Sequence, residues 1–597
     1  MIVMPPPIST LYCQRSTSKT PMGEISSDYS NNMREPLLGT SKGGFKTLPF
    51  IIANEAFEKI ASYGILPNMI LYLMGGYGME LTAGSNFIFF WNAATNITPV
   101  IGAFLSDSYL GRFWMIGFGS IISVLGVSLL WLTSIIPGAR PCDESGSECK
   151  SWNVFQLTLL VSALGLMSIG AGGIRSSSLA FGADQLLKKD NFGNAGILER
   201  FFNWYYFAAS AAVVVGSTFV VYIQDEFGWK VGLGVPVLLI FLSALSFFFA
   251  SSFYIKMKAK AGSVISFAQV LMASWRKRNL DLSESTDKVF YRRKGSRLIR
   301  PSDKLRFLNK ACIVGNAEDL TPNGTASDPW SLCTINQVEE LKALLKVIPL
   351  WSTGIMISVT MGQVTFPVLQ ARSMDRHITS NFEIPAGSFG SFTIIAIILW
   401  IAIYDRIVIP LASRLMGKPV QLSVRIRMGI GLILSFVSMV VTATVEHIRR
   451  KIAIEEGFSD DPTGVTDMSA NWLLLQHCLS GMAEAFFAVG QNEFFYSEFP
   501  KSMSSVATTL FGVGMSLSSL ISSLIMTSVD KITSKGGNES WVSSNINKGH
   551  FDYFYGLIAG LSLVNFFYYI LCSKAYGPSS AEQDGVWDDE EIVDNEE

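Results

Sequence analysis

Long apolar stretches alternate with shorter polar stretches along almost the whole chain. A helix of about 20 apolar residues crosses the hydrocarbon core of a bilayer. Twelve stretches qualify, near residues 48–74, 83–106, 113–136, 154–180, 201–223, 230–255, 339–368, 386–404, 423–445, 471–497, 505–529 and 552–573. Six precede and six follow a long polar segment. The pattern predicts an all-α membrane protein with twelve transmembrane helices in two six-helix halves.

The polar segment between the halves, residues 256–337, predicts the orientation of the chain. Between Lys256 and Lys310 it holds fifteen Lys or Arg and four Asp or Glu. Cytoplasmic loops collect positive charge. We therefore expect a cytoplasmic linker, with bundles at 48–255 and 338–573, and both termini are then cytoplasmic as well.

Both ends of the chain differ in composition from the spans. Residues 1–47 are mostly polar and predict a disordered N-terminus without a cleavable signal peptide. The C-terminal segment 574–597 is acidic, since its last sixteen residues hold nine Asp or Glu and no Lys or Arg. We expect a solvated cytoplasmic tail, with docking of a protein partner as the alternative.

Two loops carry residues that are typical of an extracellular or lumenal side. Cys142 and Cys149 lie seven apart in a polar loop that this orientation places outside, where a disulfide can form. Asn538-Glu539-Ser540 is a glycosylation sequon that is also placed outside. We expect a multi-pass protein of the plasma membrane, with the vacuolar membrane as the alternative.

Several classes of function are disfavoured by missing motifs. The sequence contains no GxxxxGK[ST] phosphate loop, no HExxH and no cluster of Cys and His with metal-ligand spacing. We therefore expect no primary pump, no enzyme, no metal, no cofactor and no nucleic-acid partner. Two halves joined by a long linker favour the major facilitator architecture, in which a small solute binds between the halves.

The second predicted span ends in the sequence GAFLSDSYLGR. Gly102 and Gly111 permit close helix contact and a tight turn. Asp107 and Arg112 can pair at the membrane surface. These residues predict a structural latch between helices, without contact to the solute.

The first predicted span contains charges that are costly inside a membrane. Glu55, Glu58 and Lys59 share one helical face, and Tyr63 continues that face one turn later. Ionisable groups inside spans usually serve a solute or proton pathway. The alternatives are a salt bridge that only stabilises the helix, or a position in the headgroup layer.

These motifs together resemble the proton-dependent oligopeptide transporter family, and within it the plant nitrate and peptide transporter branch. The resemblance rests on ExxE followed by a cation in the first span, on GAFLSDSYLGR, and on FFNWYY, AGGIRSS and GQNEFF at 201–206, 171–177 and 490–495. It extends from about Gly43 to Ser573. It implies that inward-flowing protons drive solute uptake by alternating access.

The resemblance also implies roles for individual residues. Glu55 and Glu58 are expected to exchange protons while Lys59 changes partners, although the family usually has Arg at position 59. Arg175, where relatives commonly carry Lys, is expected to attract an anionic solute or the carboxylates of the first span. Glu484 matches the acid of the C-terminal half. The residues expected to bind the solute are Arg175, Glu484, Tyr63 and Met361.

Two departures from the family bear on the solute. Met361 stands where a nitrate-transporting relative has a nitrate-binding histidine, and Met115 replaces a threonine that serves as a phosphorylation switch. We expect a proton-coupled symporter of a small anionic solute, with nitrate as the first candidate and hormone acids or di- and tripeptides as alternatives. A passive facilitator or a transporter-like sensor remains open.

Overall fold

A computed structural model describes residues 43–142, 149, 151–186, 194–257, 263–279, 290–292, 300–315, 319–321, 325–380, 382–417, 422–500 and 503–577. The predictions for the first 42 residues and for the acidic tail from residue 578 lie outside these residues.

Helices make up the part of the chain before the linker. They are α1 (Leu48–Ile65), α2 (Met69–Tyr77), α3 (Leu81–Leu105), α4 (Arg112–Ile135), α5 (Val154–Leu186), α6 (Asn194–Val215) and α7 (Val221–Phe249). A π-helical turn at Ser106–Leu110 extends α3, and another at Gly216–Val220 connects α6 to α7. The fifth and sixth predicted spans separate at Gly228, whose φ of +74° is open to glycine without a steric penalty.

The linker and the part after it are also helical. The helices are α8 (Ser263–Arg276), α9 (Arg306–Asn309), α10 (Ile335–Met361), α11 (Thr365–Arg372), α12 (Ser391–Ile403), α13 (Ile409–Met416), α14 (Val424–Glu455), α15 (Leu473–Glu498), α16 (Ser504–Thr533) and α17 (Phe551–Tyr576). Two short strand pairs lie in loops: β1 (Met374–Asp375) runs parallel to β4 (Thr466–Ser469), and β2 (His377–Thr379) runs antiparallel to β3 (Phe382–Glu383).

Every predicted span has a helical counterpart among the described residues. Ten segments are long and apolar enough to cross a membrane, and one of them, Arg200–Ser252, contains both the fifth and the sixth predicted span. Helix α1 is not among the ten because Glu55, Glu58 and Lys59 interrupt its apolar sequence. The prediction of an all-α membrane fold is thus confirmed.

The chain forms two compact units. The first comprises Met1–Ala259, Thr353–Gln491 and Gly512–Tyr568, and its core combines side chains from both halves of the sequence, such as Leu73 and Phe89 with Phe366 and Phe551. The second comprises Lys260–Ser352, Asn492–Phe511 and Tyr569–Glu597, and its core includes Val270, Leu308 and Ile335.

Residues 43–47, which we predicted to belong to a disordered N-terminus, are ordered. The backbone N–H of Gly43 donates to the carbonyl of Phe253, and that of Gly44 donates to the carbonyl of Gln185, both at 2.8 Å. A 3-10 turn, Phe45–Thr47, then leads into α1. The sequence pattern missed this contact because backbone hydrogen bonds leave no mark in composition.

The predicted end of the ninth span was wrong. We expected a loop after residue 445, but α14 continues to Glu455. Arg449, expected in that loop, is fully buried and its guanidinium pairs with Glu446 through two contacts of 2.8 and 2.9 Å. It also donates to Asn547 Oδ1 at 2.7 Å. The helix continues because these partners compensate the loss of water around the charge.

We predict that Arg449→Ala destabilises the protein by about 3–5 kcal/mol, because Glu446 then stays buried without its cation. Thermal unfolding of the purified protein in detergent measures this as a lowered Tm. Lys451→Ala is the matched control, since Lys451 is 70% exposed and should leave Tm unchanged. Equal melting of Arg449→Ala and wild type would contradict the prediction.

Candidate functional site

A buried ion pair joins α1 to α5. Arg175 donates from Nε to Glu58 Oε2 at 2.9 Å and from Nη2 to Glu58 Oε1 at 2.8 Å. Ser62, one turn after Glu58, adds a hydrogen bond to Oε1 at 2.6 Å. The side chain of Glu58 is 2% exposed and that of Arg175 is 18% exposed. A carboxylate held by this two-point fork is stabilised in its charged form.

A second and looser ion pair lies one turn earlier on α1. Lys59 Nζ is 3.4 Å from Glu55 Oε1. The other oxygen of Glu55, Oε2, is buried and has no hydrogen-bond partner among the described residues. Tyr205 of α6 also interacts with Glu55. The Glu55 carboxylate therefore has acceptor capacity that the structure leaves unused.

The ring of Tyr63 lies near both cations of this cluster. Its centroid is 6.0 Å from Lys59 Nζ and 5.9 Å from Arg175 Cζ, near the limit of a cation–π contact. The structure thus brings together five of the predicted site residues. We call Glu55, Glu58, Lys59, Tyr63 and Arg175 the α1–α5 cluster.

Neighbouring helices fix the position of α1 through polar contacts that the sequence analysis missed. The buried amide of Asn54 donates to Ser243 Oγ of α7 at 2.8 Å and to Ser120 Oγ of α4 at 3.2 Å. Gln224 donates to the carbonyl of Gly64 at 3.0 Å. The only signal in the sequence was a polar Asn next to Glu55 inside an apolar span.

The two candidate residues of the C-terminal half are not joined to the α1–α5 cluster by an ion pair. Glu484 is buried on α15, and no described residue forms a salt bridge with its carboxylate. Met361 is half-buried and is the last residue of α10, just before the break that separates α10 from α11. Their roles in solute binding stay predictions.

The predicted latch contains one more acid than the sequence suggested. Arg112 lies 3.3 Å from Asp107 Oδ1 and donates to both oxygens of Asp184 on α5, at 2.8 and 2.9 Å. Gly111 precedes it with a φ of +80°. A side chain at Gly102 would meet the Gly172 carbonyl of α5 at 2.8 Å, so α3 and α5 can approach only with glycine there.

Polar contacts tie the two halves of the sequence together near the start of α3. The Asn86 amide donates to Thr527 Oγ1 at 3.0 Å and accepts from Ser523 Oγ at 2.7 Å, both on α16. Ser217 and Ser391 share a hydrogen bond of 2.8 Å. These contacts lie within the first unit and join the two halves of the sequence.

The remaining candidate positions lie in loops. Cys142 and Cys149 form a disulfide, and Asn538 is exposed in the loop between α16 and α17. Within the described part of the chain, no group of three or more His, Cys, Asp or Glu could hold a metal ion.

Comparison with known proteins identifies the family. Residues 113–542 match the POT family. The chain is 51% identical to Protein NRT1/PTR FAMILY 1.2 of Arabidopsis thaliana, over 93% of this chain and 94% of that protein. It is 53% identical to Protein NRT1/PTR FAMILY 1.1 of the same plant, over 90% and 92%. This chain belongs to the POT family.

Solved structures support the fold of this POT family member. The POT family transporter PepTSo superposes with a TM-score of 0.64 at 17% identity, covering 89% of this chain and 98% of that one. A POT family transporter in complex with 5-aminolevulinic acid superposes with a TM-score of 0.60 at 13% identity, covering 90% and 99%. The predictions of the family and of a transporter rather than an enzyme are confirmed.

We predict that Arg175→Met lowers Tm, because removing one partner of a buried pair costs about 3–5 kcal/mol. The double variant Glu58→Gln/Arg175→Met should recover most of that loss, since it leaves no charge of the pair behind. Thermal unfolding of these two variants, of Glu58→Gln alone and of the wild type completes a double-mutant cycle. If the changes in Tm caused by the two single substitutions added up to that of the double variant, the two side chains would not stabilise each other.

Proposed function

We propose that this POT family member is a proton-coupled symporter of a small anionic solute, with nitrate as the first candidate, and that it works by alternating access. The observation that supports this most is the two-point ion pair between Glu58 and Arg175. The Nε and Nη2 donors of Arg175 that hold Glu58 cannot bind a solute anion at the same time. Solute binding and the charge on Glu58 are therefore in competition.

The charges of the α1–α5 cluster explain how a proton resolves this competition. Glu55 and Glu58 carry two negative charges, and Lys59 and Arg175 carry two positive charges, so the cluster is neutral. A proton on Glu58 removes its charge and weakens its hold on Arg175. The cluster is then at +1, and a monovalent anion restores neutrality. Proton and anion thus favour each other's binding.

Glu55 provides the second site for a proton in this proposal. Its pair with Lys59 is longer than the Glu58–Arg175 contacts, and its Oε2, which accepts no hydrogen bond from the described residues, can take up the proton. Lysine at position 59 keeps the charge but lacks the planar fork of arginine. We infer that Lys59 exchanges partners more readily than an arginine would.

The contacts near the start of α3 support one step of alternating access. With cytoplasmic termini, as the basic linker predicts, Asn86 and Ser217 lie toward the extracellular side. Their hydrogen bonds to α16 and to Ser391 then close the extracellular side. We assign this conformation to the state that faces the cytoplasm. The exposed sequon at Asn538 and the Cys142–Cys149 disulfide fit the same orientation, at the plasma membrane.

A hormone acid is the second candidate solute. Half-buried Met361 stands where histidine would bind nitrate in a relative, so an apolar solute body would suit this position better than an oxyanion. A carboxylate group could still bind Arg175. Nitrate and a hormone acid would therefore both place their negative charge at Arg175. They would differ in whether an apolar part of the solute contacts Met361. The acidic tail is proposed to stay solvated or to dock a protein partner.

We predict that Glu58→Gln abolishes accumulation of solute against its gradient but leaves solute exchange intact. The amide cannot change its charge, so proton flow no longer drives uptake, while the solute site remains. Uptake into proteoliposomes at two external pH values, with ¹⁵N-nitrate, a labelled dipeptide and labelled acidic hormones, identifies the solute and measures the coupling.

Glu80→Gln is the control for this experiment, because Glu80 is exposed and lies outside the cluster. Its accumulation should equal that of the wild type. Full accumulation by correctly inserted Glu58→Gln would remove α1 from the coupling step. Equilibration without accumulation by the wild type would indicate a passive facilitator, and binding without movement would indicate a sensor.

We predict that adding Arg175→Met to Glu58→Gln reduces exchange of the identified anion at least about tenfold, the equivalent of 1.4 kcal/mol. Glu58→Gln leaves Arg175 free for the anion, and the second substitution removes that donor. The measurement is the rate of labelled anion exchange under equal concentrations on both sides. Equal exchange by the single and double variants would show that Arg175 only stabilises the fold.

A further inference from the structure

Helix α8 in the linker is apolar on two opposite faces. Its inner face holds Val270 and Ala273, which pack in one core with Leu308, Ile335 and Val338. Ser274 adds a hydrogen bond to the Leu308 carbonyl at 3.3 Å. Since Ile335 and Val338 belong to the first turn of α10, α8 is fixed against the end of a membrane-spanning helix.

The outer face of α8 is apolar and is not covered by the described part of the chain. Leu271, Met272 and Trp275 are spaced i, i+1 and i+4, so they share one side of the helix. Their exposed fractions are 51%, 40% and 63%. A water-facing helix in a linker would carry polar residues at these positions. We call these three residues the α8 outer face.

Positive charge borders the α8 outer face. Arg276, Lys277 and Arg278 follow Trp275, and the guanidinium carbon of Arg278 lies 4.9 Å from the Trp275 ring centroid. Arg276 pairs with Asp328 at 3.0 Å, and Lys310 donates to the Arg278 carbonyl at 2.6 Å. The described linker residues from Ser263 to Gln337 hold eight Lys or Arg against three Asp or Glu.

This combination fits the surface of a membrane with anionic lipids. Tryptophan and arginine concentrate where hydrocarbon meets the headgroups, and amphipathic helices with basic borders lie in that layer. The packing of α8 against the first turn of α10 keeps α8 close to the bilayer, because α10 continues as a membrane-spanning helix.

We propose that the α8 outer face inserts among the headgroups of the leaflet next to the linker and binds anionic phospholipids. Trp275 and its neighbours enter the boundary of the acyl chains, and Arg276 and Arg278 contact the lipid phosphates. Lys277 lies on the inner side of α8, where it donates to the Ile313 carbonyl at 2.7 Å. The helix thereby fixes the linker to the membrane, beside the end of α10. This proposal extends the proposed function, but it requires neither proton coupling nor an identified solute.

Photo-crosslinking of the full-length protein in nanodiscs tests the proposal. One sample replaces Met272 with p-benzoylphenylalanine, and the control places the same probe at exposed Asn538 in another loop. Each is reconstituted in phosphatidylcholine alone or with added phosphatidylserine. Mass spectrometry then identifies the molecule attached to the probe.

We expect phospholipid adducts at position 272, with at least about a fivefold preference for phosphatidylserine, the effect of one basic residue near an anionic surface. Arg276→Gln/Arg278→Gln, which leaves the inward-facing Lys277 in place, should remove that preference. The proposal is overturned by adducts to peptides of this chain, by no lipid adduct, by equal yields for both lipids, or by equal yields at Asn538. Because transport is not measured, a failure of proton coupling leaves this result unaffected.

Discussion

The cost of removing charge from water determines where the functional groups of this transporter lie. Glu58 and Arg175 are buried inside a membrane protein and are tolerated because each satisfies the other through two short contacts. In the proposed mechanism, that mutual dependence makes the pair a switch. Anything that changes the charge of Glu58 also changes what Arg175 can bind, so the proton and the anion act on the same pair of side chains.

Another buried charge is stabilised elsewhere in the fold, but it does not provide a switch. Arg449 is fully buried, but Glu446, Asn547 and a backbone carbonyl occupy its donors. Because these partners hold the guanidinium on Nε, Nη1 and Nη2, the arrangement serves stability. Glu55 differs because one of its oxygens has no partner among the described residues. The looser contacts of Glu55 thus distinguish the α1–α5 cluster from the Arg449 ion pair.

Much of the fold and part of the site could be predicted from sequence. The length of the apolar stretches predicted the spans, and helical spacing placed Glu55, Glu58 and Lys59 on one face. Both predictions depend only on residues that are close together in the sequence. The family resemblance implied the first-span carboxylates as one of two alternative partners of Arg175. The contact of Asp184 with Arg112 could not be predicted, since it joins residues far apart in the chain. Arg449 was misplaced because a charge that is satisfied by distant partners looks like a loop residue.

The central claim is that an anion binds when Glu58 takes up a proton. Calorimetric titration of the purified protein with nitrate, in buffers of different ionisation enthalpy, gives the number of protons taken up per anion bound. The account predicts about one proton for the wild type, from the charge balance of the cluster, and none for Glu58→Gln. Nitrate binding without proton uptake by the wild type, or the same uptake by Glu58→Gln, would contradict it.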